Sequence, residues 1–290
     1  MLFIPAGIVP LIHPRKQSFA VVHGLEYEYF PQSYSLFQFW HLVTFTRWSA
    51  WRSNTVFVPS QNTKNDLVAE YRVAEEKLDV VYPGLPQRNY TETQTKGMSE
   101  EVTKILQTPF VFWIGRKDQR KNLSTLVEAF NQLKAQKDIP TDLTLVLAGA
   151  PGEGYEEVKH KIYQSPHKHS IYDITYVSEQ ERAELYTQAR LFVFPSWYEG
   201  FGFPILEAQQ AGTPVVSSNA ASLPEVGESS CLYASPDTPY EFVEQIRMVL
   251  LNPEVEYELI EAGHSNVKRF TFAQTAEHIL KTITASARSE

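Results

Sequence analysis

A single cysteine in 290 residues leaves Cys231 without an intrachain partner, so a disulfide framework and a multi-cysteine metal site are both excluded. Its setting, SSCLYAS, reads as a buried strand end, which makes the thiol a packing group and fits a reducing compartment. No run of eighteen apolar residues occurs, so no segment reads as a membrane-spanning helix. The opening MLFIPAGIVPLIHP is apolar, but it has no basic flank and three prolines break it, so it does not read as a secretory signal. Basic residues are in the minority, 26 Lys and Arg against 34 Asp and Glu, and the net charge of −8 argues against general nucleic-acid binding while leaving room for a local basic pocket. Neither a Ser-His-Asp set, a zinc spacing nor a Walker loop is found, and no solenoid-period repeat or low-complexity tract interrupts the chain.

What is present is a globular composition, 43 % apolar, long enough for one or two domains. In the first 85 residues the segments 19–23 (FAVVH), 55–58 (TVFV) and 78–82 (LDVVY) read as strands alternating with helices, the pattern of a parallel sheet. A helix over 35–52 carries Phe37, Trp40, Phe45, Trp48 and Trp51 with only Arg47 and Arg52 as charges. It reads either as a helix buried on the sheet, the reading its apolar breadth favours, or as an interfacial surface. Residues 86–100, PQRNYTETQTKGMSE, are polar and read as a linker or surface excursion. Residues 101–270 repeat the α/β pattern with strands at 110–114, 143–148, 173–177, 191–194 and 215–217. Asn122 is placed to cap the helix that follows it, and Ser178 with Glu181 and Thr271 with Gln274 form two further helix-start signals, the last opening a final helix in 271–290.

The densest signal is 191–218, LFVFPSWYEGFGFPILEAQQAGTPVVSS. A buried strand, a glycine loop, a helix ended by Gly212 and a second buried strand make one βαβ unit, whose loop lies where open α/β sheets bind ligands. Glu199 and Glu207 flank amides at Gly200, Phe201, Gly202 and Phe203 that precede a helix N-terminus, a place that favours an anion. Carboxylates on both sides of an anion site suit a ligand with phosphate in the middle and hydroxyls at both ends. The plainer alternative is that the two glutamates only cap and solvate a helix.

The wording EGFGFPILE, with FPS before it and AGTPVVSS after it, resembles the Glu-x7-Glu signature of retaining GT-B glycosyltransferases of family 4. The resemblance implies an α/β fold of GT-B type: two Rossmann-like doubly wound domains, with 1–85 on the acceptor side and 101–270 binding a nucleotide sugar. A final helix, 271–290, would return to the first domain. A domain of this class takes about 100–150 residues, so 1–85 reads as an N-terminal domain lacking its start. Arg116 and Lys121, in GRKDQRKN, would hold the donor diphosphate. The alternative is a solvated basic turn, since Lys117 and Arg120 are charged too. Glu207 would accept from ribose hydroxyls, Glu199 would face the donor sugar, and the loop after Tyr176 and Val177 would read the base by backbone. His23, at a strand end before Gly24, would lie close to the donor sugar, although a lone histidine is as readily a structural hydrogen-bonder. His13, between prolines, reads as part of a rigid loop.

The implied activity is retaining transfer of a hexose from a GDP- or UDP-linked sugar to a hydroxyl acceptor, with no metal and no further cofactor. FPSWYEGFG resembles members using mannose or other hexose donors in surface-polysaccharide assembly. The acceptor would be a glycan or lipid-linked glycan, at the cytoplasmic side and with peripheral membrane contact among the readings. Of other classes on this fold, phosphorylases need a pyridoxal-phosphate lysine for which no context exists here. A non-catalytic or split nucleotide-sugar-binding subunit, working with a separate N-terminal half, remains as the alternative.

Overall fold

The structure is a computed structural model, and it describes residues 2–5, 8–10, 17–88, 90 and 97–288. The chain forms two compact units, one comprising Met1–Pro86, Tyr198–Phe201 and Phe270–Glu290 and the other Gln87–Trp197 and Gly202–Arg269. Four residues from the middle of the central motif thus fold with the first unit, a division that no linear reading of the chain anticipates.

The first unit is a four-stranded parallel sheet of β1 (Leu2–Ile4), β2 (Ser18–Val21), β3 (Thr55–Val58) and β4 (Leu78–Val80), in that order. Helices α1 (Glu26–Tyr29), α2 (Leu36–Arg52) and α3 (Gln61–Tyr71) connect its strands. The last helix of the chain, Phe272–Arg288, packs on the same sheet, where Ile283 joins a buried cluster with Phe19 and Phe57. Gly84 permits that return, because a Cβ there would sit 2.4 Å from the amide nitrogen of Phe272. Strand β1 is absent from the sequence reading, since three residues among prolines give no alternation to detect.

Helix α2 corrects the expectation that it is buried. A capping box between Ser35 and Gln38 starts it as its sequence suggests. Only one stripe, including Phe39, Leu42, Val43 and Ala50, meets the core. Leu36 and Phe37 are each 81 % exposed and Trp40 is 61 % exposed, while the Arg47 guanidinium lies 4.5 Å from the centroid of the half-exposed Trp51 ring. The helix carries apolar residues on more than one side, and only one of those sides meets the core.

The second unit is a six-stranded parallel sheet. Its strands are β5 (Phe110–Ile114), β6 (Thr144–Ala148), β7 (Ile171–Ile174), β8 (Leu191–Phe194), β9 (Val215–Ser218) and β10 (Leu232–Ala234). Their order is β10-β9-β8-β5-β6-β7. Every residue of β6, β8 and β9 is buried, which is why these strands read as unbroken apolar runs. Helix α4 (Glu100–Ile105) precedes the strands of this sheet, α5 (Leu123–Lys134), α6 (Tyr155–Gln164), α7 (Glu179–Gln188), α8 (Phe203–Gln210) and α9 (Leu223–Gly227) run between them, and α10 (Pro239–Leu251) and α11 (Pro253–Asn266) follow. The order is that of a doubly wound sheet, and the chain reverses direction across it between β5 and β8. In such sheets the carboxyl ends of the strands at the reversal open onto a ligand crevice.

Two departures come from local chemistry. Strand β7 ends at Ile174, so Thr175, Tyr176 and Val177 form a loop and not the end of a strand. Asn122 stands in front of α5, but its φ is 56° and its side chain makes no capping hydrogen bond. Its Nδ2 donates instead to the carbonyls of Pro195 at 3.0 Å and Pro236 at 2.7 Å, stitching the loops after β8 and β10 to α5.

Beyond β6 the chain passes so close to the end of β5 that a Cβ on Gly149 would meet the Gly115 carbonyl oxygen at 2.0 Å, at a φ of 127°. Gly149→Ala is therefore expected to cost about 2–3 kcal/mol in urea denaturation. Gly97→Ala is the matched control: its φ is 101° with nothing within 4 Å, and its cost stays near 1 kcal/mol. Equal effects from the two would refute the close-approach explanation.

Candidate functional site

The carboxyl ends of β5 and β8 carry the residues singled out in the second unit. After β5 come Gly115 and Arg116, whose side chain is exposed and without an ion-pair partner among the described residues. The short helical turn Gln119–Lys121 then brings Lys121 back under the strand ends, buried, with its ammonium 5.2 Å from the centroid of the Phe194 ring at the end of β8. The chain of this turn is tied to the β8 loop by a hydrogen bond from the Trp197 amide to the Arg120 carbonyl at 3.0 Å. The basic run is therefore no solvated turn, since two of its cations lie inside the protein.

The second of these, Lys117, points the other way. It is 1 % exposed, its ammonium pairs with Asp173, and it donates to the Ile174 carbonyl at 2.9 Å. Tyr155 donates to the other Asp173 oxygen, and its ring lies 5.3 Å from the Lys117 nitrogen. Burial pulls the Lys117 ammonium below its ordinary value while Asp173 works against that fall. The amide of Lys117 also donates to the Ala150 carbonyl at 2.9 Å, so this one residue joins the loops after β5 and β6 to the end of β7.

After β8, Gly202 opens α8 with a φ of 131°, where a Cβ would lie 2.9 Å from Leu223, and Phe203 begins the helix partly exposed. Glu207 sits in α8, and each of its carboxylate oxygens has a partner. Oε1 pairs with Arg182, and Oε2 accepts from the Tyr186 hydroxyl at 3.0 Å. Tyr186 is buried completely, and desolvation with the nearby Glu207 charge holds its hydroxyl well above the ordinary range, so it serves as a neutral donor. Val177 lies in the loop that leads into α7, the helix that supplies both Arg182 and Tyr186.

The residues from Tyr198 to Phe201 and His23 belong to the first unit. Gly200 passes so near His23 that a Cβ would meet its carbonyl oxygen at 2.0 Å. The Gly200 carbonyl in turn accepts from Ser60 at 2.8 Å and Thr63 at 3.3 Å. Tyr198 donates to the buried Asp66 at 2.7 Å and accepts from the Leu25 amide at 3.1 Å, and Phe201 packs on Tyr82 and Phe270. Glu199, 9 % exposed, is carried between these anchors. The structure thus brings the backbone of His23 to Gly200, next in the chain to Glu199, while the His23 ring is exposed with Nε2 3.2 Å from the Pro5 carbonyl. His13 and residues 91–96 lie outside the described residues.

Sequence reading misses Arg182, Tyr186 and Arg88. Arg182 and Tyr186 sit in EQERAELYTQ, which reads as a solvated helix face, and Arg88 sits in a polar stretch that reads as linker. A cation in the first turn of a helix, where the dipole favours acids, is the one trace that Arg182 leaves.

The family described as glycosyl transferases group 1 matches residues 96–266 of the chain. O-antigen chain mannosyltransferase B from Escherichia coli is 37 % identical over 128 residues, 44 % of this chain and 33 % of that protein. D-inositol 3-phosphate glycosyltransferase from Corynebacterium diphtheriae is 24 % identical over 237 residues, 78 % of this chain and 55 % of that protein. The chain thus spans about half or less of the curated relatives it matches. Among solved structures, Anabaena Alr3699/HepE in complex with UDP-glucose superposes with a TM-score of 0.74 at 18 % identity, covering 93 % of this chain and 73 % of that one.

Helix α7, which carries the Glu207 partners, starts at a carboxylate with all four acceptor positions filled. Glu181 accepts from the amide and hydroxyl of Ser99 at 2.8 and 2.7 Å and from those of Ser178 at 2.8 and 2.9 Å. Burial pushes its pKa up, but the hydrogen bonds together outweigh that and bring it from 4.5 to about 2. A depressed folded-state value means that the stabilisation is complete above the unfolded value and drains as pH falls from about 5 toward 2. Glu181→Gln is therefore expected to lose on the order of 2 kcal/mol at neutral pH, where the wild-type carboxylate is charged. Urea midpoints measured from pH 7 to pH 3 should converge for the two proteins as pH drops; parallel curves would show that Glu181 is not held ionised.

Proposed function

The chain belongs to the glycosyl transferases group 1 family and has the GT-B fold of two parallel α/β sheets, and on that premise we propose that it is a retaining glycosyltransferase of family 4. Its donor is a GDP- or UDP-linked hexose, with mannose favoured by the relative in O-antigen synthesis, and its acceptor is a hydroxyl of a glycan or lipid-linked glycan. No metal or further cofactor enters the reaction. The observation that carries the reading is the placement of Arg116 and Lys121 after β5 and of Gly202, Phe203 and Glu207 after β8, the two strands at the reversal of the doubly wound sheet.

The chemistry follows from those groups. The guanidinium of Arg116 and the ammonium of Lys121 neutralise charge on the nucleoside diphosphate as it leaves, the role a metal ion fills elsewhere. Amides ahead of α8 add hydrogen-bond donors to the same anion. Glu207 accepts from the ribose, and Glu199 and His23 address the donor sugar. The acceptor oxygen bonds to the anomeric carbon on the face from which the diphosphate departs. The carbon–oxygen bond to the diphosphate breaks, and a diphosphate oxygen takes the acceptor's proton. The configuration is kept without a protein nucleophile, and the protein contributes position and electrostatics.

We assign the site of action to the cytoplasmic face of a membrane. No helix among the described residues is long and apolar enough to cross a bilayer. Peripheral contact is instead supported by α2, which exposes Leu36, Phe37 and Trp40 within residues 29–65, a stretch that contains no Asp or Glu. An aromatic surface free of acids suits an anionic lipid surface.

Nucleotide binding comes first among the tests. In a thermal-shift panel with GDP, UDP and ADP, one nucleotide at a hundred times its dissociation constant should stabilise the protein by about 2.7 kcal/mol. Arg116→Ala, which removes an exposed side chain, should leave the ligand-free melting temperature unchanged and weaken that nucleotide at least about tenfold. No shift with any nucleotide sinks the donor-site reading and favours the split-subunit alternative. With a donor sugar in hand, product NMR showing an inverted anomeric centre, or activity lost to a chelator, would overturn the retaining or metal-free assignment. For α2, the wild type should co-sediment with phosphatidylglycerol vesicles and not with phosphatidylcholine, and Phe37→Ser with Trp40→Ser should abolish it. Equal sedimentation of the double variant refutes membrane contact through this helix.

A further inference from the structure

Glu207 is surrounded by groups that its proposed role does not use. Besides pairing with Arg182, its Oε1 lies 4.0 Å from Nη2 of Arg88. Both arginines also reach Glu179, Arg182 at 3.3 Å and Arg88 at 2.6 Å. Two cations and two anions cancel, so the cluster is neutral and presents no field that would draw in a further phosphate. Within it, Nε of Arg182 and the hydroxyl of Tyr90 are shielded from solvent and have no hydrogen-bond partner among the described residues. Burial together with the charge of Glu207 pushes the Tyr90 hydroxyl up to about 12, so at neutral pH it keeps its proton and can donate.

Buried donors are almost always satisfied, and one left unmade carries a desolvation penalty comparable to a lost hydrogen bond. Two such donors around one carboxylate mark a place for a ligand that both donates and accepts. A phosphate only accepts and would face the carboxylates of Glu207 and Glu179. An apolar group would satisfy neither donor. A sugar diol fits, because each hydroxyl can donate its proton to Glu207 while its oxygen accepts from an arginine or tyrosine. The chain order agrees: Arg182 lies in α7, directly after the Val177 loop, and Tyr90 follows Arg88 in the segment that ties α7 to α8.

We propose that Arg182 Nε and the Tyr90 hydroxyl are contacts to the ribose hydroxyls of the donor nucleotide, completing with Glu207 a donor–acceptor set that selects ribose over deoxyribose. This assignment rests on the donor-site reading given above. Arg182 has a second role within it, orienting the Glu207 carboxylate through their ion pair.

Calorimetric titration of the full chain with UDP, GDP and their deoxyribose counterparts tests it. The wild type should prefer the ribonucleotide. Tyr90→Phe removes only the hydroxyl, and Arg182→Lys keeps a cation for Glu207 while removing Nε. Each should reduce affinity for the ribonucleotide roughly three- to tenfold, and the variant that loses the donor to the 2′-hydroxyl should leave the deoxyribonucleotide unchanged and so narrow the preference. Melting temperatures of the ligand-free variants establish that both fold. Were the preference unchanged in both, with Glu207→Gln still narrowing it, the proposal would fall while the donor site stands, and the two orphan donors would be satisfied by water. Were nucleotide binding absent, or untouched by both Glu207→Gln and Arg116→Ala, the donor-site reading would fail and this proposal with it.

Discussion

The buried ammonium of Lys117 is the interaction on which the geometry of the second unit depends. Taking a lone charge out of water costs several kcal/mol, so it stays only where its partners are fixed. Here the partners are Asp173 and the Ile174 carbonyl at the end of β7, while the Lys117 backbone bonds to Ala150 beyond β6. The loops after β5 and β6 and the end of β7 are thereby held together by one residue, through its side chain and its amide. Arg116 precedes that anchor by one residue and Lys121 follows it by four, so both cations leave a stretch whose backbone has no freedom to wander. A site that acts by placing charge where charge develops needs such rigidity, because misplacement by even about an ångström forfeits much of the gain.

The same economy recurs around the central motif. Asn122 spends its side chain on the carbonyls of Pro195 and Pro236, and Tyr198 is anchored to Asp66, so the segment carrying Glu199 leaves β8 under restraint at several points. Gly200 is the narrowest of these points. Its backbone lies against the His23 carbonyl with no space for a side chain, and Ser60 and Thr63 take its own carbonyl. The glycine read at first as a residue that frees amides for an anion is therefore also a packing requirement of the first unit. Both readings can hold, since amide and Cα point in different directions.

The sequence was most legible where burial is two-sided. Runs such as FVFWI and LFVF have one plausible state, and they correspond to β5 and β8. It was least legible where an element is short or its environment is set from elsewhere. The edge strand β1 is three residues long, and Asp173 drew the reading of β7 toward the C-terminus, although that carboxylate belongs to a salt bridge with Lys117. Helix α2 has apolar residues on more than one side, so composition could not say which side the sheet takes. Asn122 carries a capping residue's chemistry in a left-handed backbone that turns its amide away from the helix. Among site residues, the glutamates, glycines and cations were visible because their motif has a fixed order. Arg182, Tyr186 and Arg88 were not, because their partners are distant in the chain and nothing in their own surroundings marks them.

The engagement of Glu207 by Arg182 and Tyr186 raises the question of how the same carboxylate can also meet a ligand. A carboxylate has about four acceptor positions. Glu181 shows in this protein what a saturated one looks like, with four donors, a pKa near 2 and a purely structural role at the start of α7. Glu207 has two close partners, Arg182 and Tyr186, and a second cation, Arg88, at 4.0 Å, so acceptor capacity remains. Its partners are both donors, so they orient the carboxylate without occupying every acceptor position. The two glutamates therefore differ in the number of bonds left unmade, and that difference separates a carboxylate that holds a helix from one that can hold a substrate.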